Sequence, residues 1–278
     1  MTRSAIIELS EKKTTNSRFH KALQDIFLGM GMWRIWMMLG WQDIRLRYRR
    51  SSLGPFWITL TMAITIYSLG FIYSHLWKTS MDDFVLYYAT GLLSWTLMVT
   101  TVMESSNIFL ESRTYLLQMH VPLSVFIMRL LVRNFIVFLH NYLAVIPLLI
   151  YYHSKLNIHI LLIFPALLLI FLCGFTFSML LAIVGLRFRD IGQLITSLMS
   201  LAFFLTPIMW MPTNLPKKLD FIINYNPFAQ FVELIRAPLM GQLPSEYAVK
   251  AVFFIFIVGV VLMLWCLTKV RHRIVYWL

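Results

Sequence analysis

The densest chemistry in the sequence is a run of guanidiniums, Arg45, Arg47, Arg49 and Arg50, followed at once by Ser51-Ser52-Leu53-Gly54-Pro55-Phe56-Trp57. A guanidinium is planar, stays charged and forks onto phosphate oxygens through parallel N–H bonds. Four of them at the mouth of an apolar stretch could hold the phosphate or pyrophosphate of a cargo. They could equally bind anionic lipid headgroups and stop the chain from sliding, and the run alone leaves both readings open. Other chemistry is sparse. Glu104, followed by Ser105-Ser106-Asn107, is a carboxylate near the edge of an apolar run, where ionisable groups face protein or water rather than lipid; a structural hydrogen bond suits it better than a proton pathway. The seven histidines, His20, His75, His120, His140, His153, His159 and His272, are scattered, so the convergent groups a membrane transferase needs are missing. Cys173 and Cys266 both lie in apolar stretches and read as small core hydrophobes. No G-x-x-x-x-G-K-[ST] phosphate cradle occurs, so the chain is not expected to bind a nucleotide cofactor of its own.

The elements that must position these groups are membrane helices. Of 278 residues, 59% are hydrophobic, 15% aromatic and only 13% charged, and the mean hydropathy is +0.74. A soluble domain is about 45–50% apolar with about a quarter of its residues charged, so a soluble enzyme, a disordered chain and a secreted disulfide scaffold are excluded. Six uncharged runs approach the roughly 20 residues a crossing needs: Gly54 to Trp77, Leu86 to Met103, Asn134 to Ser154, Leu156 to Leu186, Ile191 to Pro216 and Ala251 to Thr268. Phe221 to Val232 is too short to cross. With six spans both termini share a side. Placing them in the cytoplasm puts eighteen Lys/Arg inside against six outside, as the positive-inside bias requires. The net charge of +12 is then inner-leaflet anchoring, and nucleic acid is not needed as a partner.

Residues 1–26 read as a polar cytoplasmic tail and 27–53 as an interface helix plus the basic segment. Between Phe27 and Tyr48, Trp33, Trp36, Met37, Gly40, Trp41 and Ile44 recur at three- and four-residue spacing, an amphipathic pattern suited to the headgroup plane. Residues 54–268 form the six-helix domain, and 269–278 a cytoplasmic C-terminal tail. Residues 205–244 carry Pro207, Pro212, Pro216, Pro227, Pro238 and Pro244 among Trp210, Tyr225, Phe228 and Phe231. That composition is expected to form a periplasmic re-entrant helical hairpin between spans five and six, since broken backbone survives in a membrane only under protein cover or along a wet path. The fold class is therefore an all-α integral membrane protein. Aromatic faces can stack on a ring-shaped cargo, which makes Trp57, Tyr67, Phe71, Tyr225 and Phe228 candidates to line a channel; interfacial belts are the ordinary use of such residues.

The stretch Trp41-Gln-Asp-Ile-Arg-Leu-Arg-Tyr-Arg-Arg-Ser-Ser-Leu-Gly-Pro-Phe-Trp57 resembles the start of the permease subunits of polysaccharide ABC transporters of the ABC type-2 family, which export O-antigen, capsule or teichoic acid. Asp43 through Trp57 fit the family pattern D-[ILF]-x-x-R-Y-[RK]-x-[ST]-x-L-G-x-[LFA]-W, and Asn226-Pro227-Phe228 resembles the N-P-[FLM] element before the last span. The resemblance implies a homodimer in the bacterial inner membrane, working with two separate ATPase subunits that hold ATP-Mg. It implies a coupling helix at 111–122, with Glu111, Arg113, Tyr115, Met119 and His120 as contacts to the ATPase. It also implies a lipid-linked, undecaprenyl-pyrophosphate-type polysaccharide as cargo, its head met by Arg45, Arg47, Arg49 and Arg50. A type-2 exporter of a drug or other small hydrophobic solute would share the topology without needing the arginines.

Overall fold

The computed structural model describes residues 18–76, 78–119, 121–153, 157–214 and 216–278, apart from the side chains of Asp83, Asn214 and Val275. The described residues contain helices and turns and no strand. Five stretches are long and apolar enough to cross a bilayer: Phe56–Leu76, Phe84–Ser105, Leu123–Tyr151, Ile158–Arg187 and Glu246–Arg273. They belong to α3 (Phe56–Leu76), α4 (Met81–Ser105), α7 (Leu123–Tyr151), α8 (Ile163–Arg187) and α12 (Glu246–Val270). Ahead of them come α1 (residues 18–31) and α2 (Trp33–Arg47). Short helices α5 (Ile108–Glu111) and α6 (Arg113–Gln118) join α4 to α7.

The sixth expected crossing, Ile191–Pro216, is not among these five. Helix α9 (Ile191–Leu205) has 15 residues, about 22 Å at 1.5 Å per residue, against a hydrocarbon core of about 30 Å. Pro207 ends it, because a proline disfavours helical backbone at the residue before it; Thr206 turns extended, with φ −90° and ψ 134°. The chain then passes through α10 (Asp220–Asn224) into α11 (Pro227–Leu239). The Asn226 side chain accepts from the N–H groups of Phe228 and Ala229, and proline occupies the first turn, both helix-start devices. Helix α11 runs antiparallel along α4. Phe228 meets Trp95 edge-on at 5.5 Å, and two turns later Arg236 reaches Tyr87.

Two large apolar cores result, with a smaller third one where Ala166 and Cys173 of α8 meet Leu234 of α11 and Val252 of α12. One surrounds the far part of α4, where Phe84, Tyr88 and Leu93 pack with Val145 of α7 and Val232, Ile235 and Leu239 of α11. The other lies at the basic end and draws on both extremities of the described chain: Ala22 and Ile26 of α1 and Ile274 of α13 (Ile274–Trp277) pack with Phe126, Met179 and Leu267. Over their described parts, the expected tails are packed on the bundle. Within 1–26, residues 18–26 are helical. Buried Asp25 accepts from the N–H groups of Leu123 and Ser124 at 3.2 Å each, capping the start of α7 from another helix. Arg271 also binds Asp25 at 3.2 Å, and Arg187 lies over the Trp277 ring, so 269–278 is docked onto the bundle. Residues 1–17 lie outside the described residues.

Candidate functional site at the basic end

Three helices, α2, α4 and α7, converge on a cluster of charged side chains. Arg129 of α7 clasps Asp43 of α2 in a two-point fork, Nε at 2.8 Å and Nη2 at 2.6 Å. Arg133, one turn on, donates to the same carboxylate at 3.2 Å and to Glu104 of α4 at 2.8 Å. Glu104 also takes the Arg47 guanidinium at 3.3 Å. At the other side, Arg129 Nη1 reaches the Ser112 hydroxyl at the α5–α6 joint at 3.5 Å. The result is one chain of contacts, Ser112–Arg129–Asp43–Arg133–Glu104–Arg47, tying the α5–α6 connector to α7, α2 and α4.

Local sequence explains why the helices meet here. On α2, Gly40 and Asp43 meet α7 and Ile44 is buried, whereas Trp33, Met37, Met38, Trp41 and Leu46 are exposed. A Cβ at Gly40 would stand 3.1 Å from the Arg129 carbonyl oxygen, so this glycine sets how closely α2 and α7 approach. The third span, expected to begin at Asn134, is corrected: α7 starts at Leu123 and carries Arg129 and Arg133 within it. The helix continues through them because Asp43 and Glu104 neutralise both charges. Ion pairs with little water around them hold by geometry and extra hydrogen bonds rather than by screened attraction, and the forked Arg129–Asp43 pair has that geometry.

The arginine run divides. Arg47 belongs to the cluster, with half its side chain exposed. Arg45, Arg49 and Arg50 are exposed, and no ion pair or hydrogen bond from their guanidiniums to any described residue exists. Arg50 takes φ 73°, a left-handed turn seldom used by residues with a Cβ. Beyond it the chain turns again at Gly54, φ 57°, into α3.

The expected coupling helix 111–122 is two short helices and an extended end. Ser112 is the joint, Met119 is extended and Pro122 caps α7. Glu111, Arg113, Tyr115 and Met119 are all exposed; His120 lies outside the described residues. Tyr115 touches the cluster edge, its ring 6.0 Å from the Arg129 guanidinium. The five aromatic channel candidates are not brought together. Trp57, Tyr67 and Phe71 share the exposed side of α3, and Tyr225 is exposed at the α10–α11 corner. Phe228 packs against Trp95 and lines an apolar cavity of about 420 Å³ with Leu97, Met98 and Phe135.

The family model described as ABC-2 type transporter matches residues 34–240, a stretch that holds the whole charge cluster, the connector and α11. The chain belongs to the ABC-2 type transporter family. Within it, this permease is 25% identical over 235 residues to an O-antigen export system permease protein RfbA of Klebsiella pneumoniae, covering 84% of this chain and 90% of that protein. A second Klebsiella pneumoniae protein of the same description is 25% identical over 225 residues, covering 80% and 85%. One from Myxococcus xanthus is 26% identical over 175 residues, covering 61% and 65%. The permease is a multi-pass membrane subunit of an ABC transporter, a family in which ATP hydrolysis resides on a separate subunit.

Sequence reasoning missed Arg129 and Arg133 as site residues and took them for topology charges. The available signal was their i, i+4 spacing, which stacks two cations on one helix face and requires carboxylates from elsewhere.

Proposed function

We propose that this permease forms, as a homodimer with two ATPase subunits, the channel of an exporter that moves lipid-linked polysaccharide of the O-antigen type across the bacterial inner membrane. Its basic end faces the cytoplasm with both termini. Helix α9 and the turns after it complete a sixth crossing, α2 lies in the headgroup plane on its exposed tryptophans, and α10–α11 re-enters from the periplasmic side. The observation that carries the cargo assignment is that Arg45, Arg49 and Arg50 have no ion pair or hydrogen bond from their guanidiniums among the described residues, beside the neutralised cluster. Three exposed guanidiniums with no carboxylate partner among the described residues are available to fork onto a lipid pyrophosphate. The relatives' printed descriptions as O-antigen export permeases agree with it.

Motion of the ATPase would enter through exposed Glu111, Arg113, Tyr115 and Met119 and pass by way of Ser112 and Arg129 into α2 and α7. The carrier lipid would stay in the bilayer while the glycan threads between protomers along α3, whose exposed Trp57, Tyr67 and Phe71 offer stacking faces; Tyr225 and Phe228 would meet it near the exit. One observation favours a different cargo: the 420 Å³ cavity beside Phe228 has an almost wholly apolar lining, which suits a small hydrophobic solute. Deleting the gene separates the two. Polysaccharide trapped inside the cell as lipid-linked polymer supports the first reading. Unchanged surface glycan with lost resistance to a hydrophobic compound supports the second. In the complemented strain, Arg45→Ala with Arg49→Ala and Arg50→Ala is expected to cut surface glycan at least tenfold at equal protein level; wild-type surface glycan would refute the phosphate-gate assignment.

A further inference from the structure

At the opposite end of the bundle Arg236 of α11 is buried, and no carboxylate among the described residues contacts its guanidinium. Glu233, one turn back, instead accepts the Ser245 N–H at 2.8 Å. The guanidinium carbon lies over the Tyr87 ring, 3.7 Å from its centre, and Nη2 donates to the Pro207 carbonyl at 2.7 Å. Tyr87 donates its hydroxyl to the same oxygen at 3.0 Å. Arg236 Nε is buried with no partner. A Cβ on Gly91 would stand 2.0 Å from Nη2, so the guanidinium can lie against α4 only because that residue is glycine. At the other end of α11, Asn226 donates to the Thr206 hydroxyl at 3.0 Å.

The break that ends α9 is therefore held from two sides by one helix. Ending α9 at Thr206-Pro207 frees a carbonyl that must find donors, and Arg236 and Tyr87 supply them. Burying a cation with no acid in contact is costly. A ring face and a carbonyl dipole offset that cost less completely than a carboxylate would, so this grip is easier to release than the cluster at the basic end. We propose that Arg236 is a positioning residue, a latch that fastens the broken end of α9 to α11 and α4 and keeps the far end of the transport path closed between transport events. The proposal rests on the reading of this chain as an exporter's channel subunit.

The test is leak of entrapped carboxyfluorescein from proteoliposomes holding the full-length permease, scored beside glycan export in the complemented deletion strain. Arg236→Gln is expected to raise the leak at least fivefold. Gly91→Ala, which crowds the guanidinium out without removing it, is expected to do the same, and the double variant to leak no more than either single one. Arg236→Lys is expected to restore part of the seal. Should Arg236→Gln fail to assemble, Tyr87→Phe decides the matter: it keeps the ring under the cation, deletes one donor to Pro207 and is expected to leak about twofold. Folded Gly91→Ala and Tyr87→Phe proteins as tight as wild type, in a strain where the wild-type gene restores export, would overturn the latch and leave the exporter reading standing. Leaky variants of a protein whose deletion leaves surface glycan unchanged would overturn the exporter reading and leave the latch standing.

Discussion

The two ends of the bundle each bury arginine, and they satisfy it differently. At the basic end Arg129 and Arg133 are matched by Asp43 and Glu104, with the Arg129–Asp43 fork as short as 2.6 Å. At the far end Arg236 has a carbonyl and an aromatic face instead. Carboxylate pairing makes a strut: removing one partner strands a charge, so the joint resists opening. Carbonyl pairing makes a grip that can be let go. In a transporter the first suits the place where force arrives and the second the place where a path must open.

The largest effect that would sharpen this contrast is at Asp43, which serves two arginines at once. Asp43→Ala is expected to cost about 3–5 kcal/mol, the usual result of breaking a buried ion pair, seen as a marked fall in thermal unfolding temperature in detergent and a loss of protein from the membrane. An unchanged unfolding temperature would break the strut idea. Gly40→Leu comes next. Its side chain must push into the Arg129 carbonyl and Val132, an overpacking worth roughly 1–3 kcal/mol on the same assay. Glu104→Gln and Arg133→Met, alone and together, are expected to show a coupling energy of roughly 0.5–3 kcal/mol; additive effects would mean that the 2.8 Å contact holds nothing. The smallest change is Arg50→Gly. Relief of the left-handed backbone, about 1–2 kcal/mol, offsets the added freedom of glycine in the unfolded chain, about 0.5–1 kcal/mol. Stability is expected to stay within about 1 kcal/mol while glycan export falls.

Much of this was legible in the sequence. Long apolar runs foretell α3, α4, α8 and α12, and Asn226-Pro227 marks the start of α11 as capping chemistry says it should. The failures have a common physical origin, partners distant in the chain. Arg129 and Arg133 look like loop charges until Asp43, 86 and 90 residues away, and Glu104 are beside them. Arg236 counts as an outer-surface charge until the break at Pro207, 29 residues earlier, presents it with a carbonyl. The docked C-terminal residues are similar, since nothing local in Arg271-His-Arg273 announces Asp25. The stop of α9 is the exception: Pro207 stands inside the apolar run Ile191–Pro216, and its effect on the residue before it is local.

The central claim is that the cluster of Asp43, Glu104, Arg129 and Arg133 is framework while the neighbouring exposed arginines bind cargo. Its most direct test is the affinity of the purified permease, in nanodiscs of zwitterionic lipid, for a short-chain polyprenyl pyrophosphate, compared between wild type and the Arg45→Ala, Arg49→Ala, Arg50→Ala protein. The expected result is at least a tenfold weaker affinity with the unfolding temperature unchanged. Equal affinity in a folded triple variant would contradict the claim.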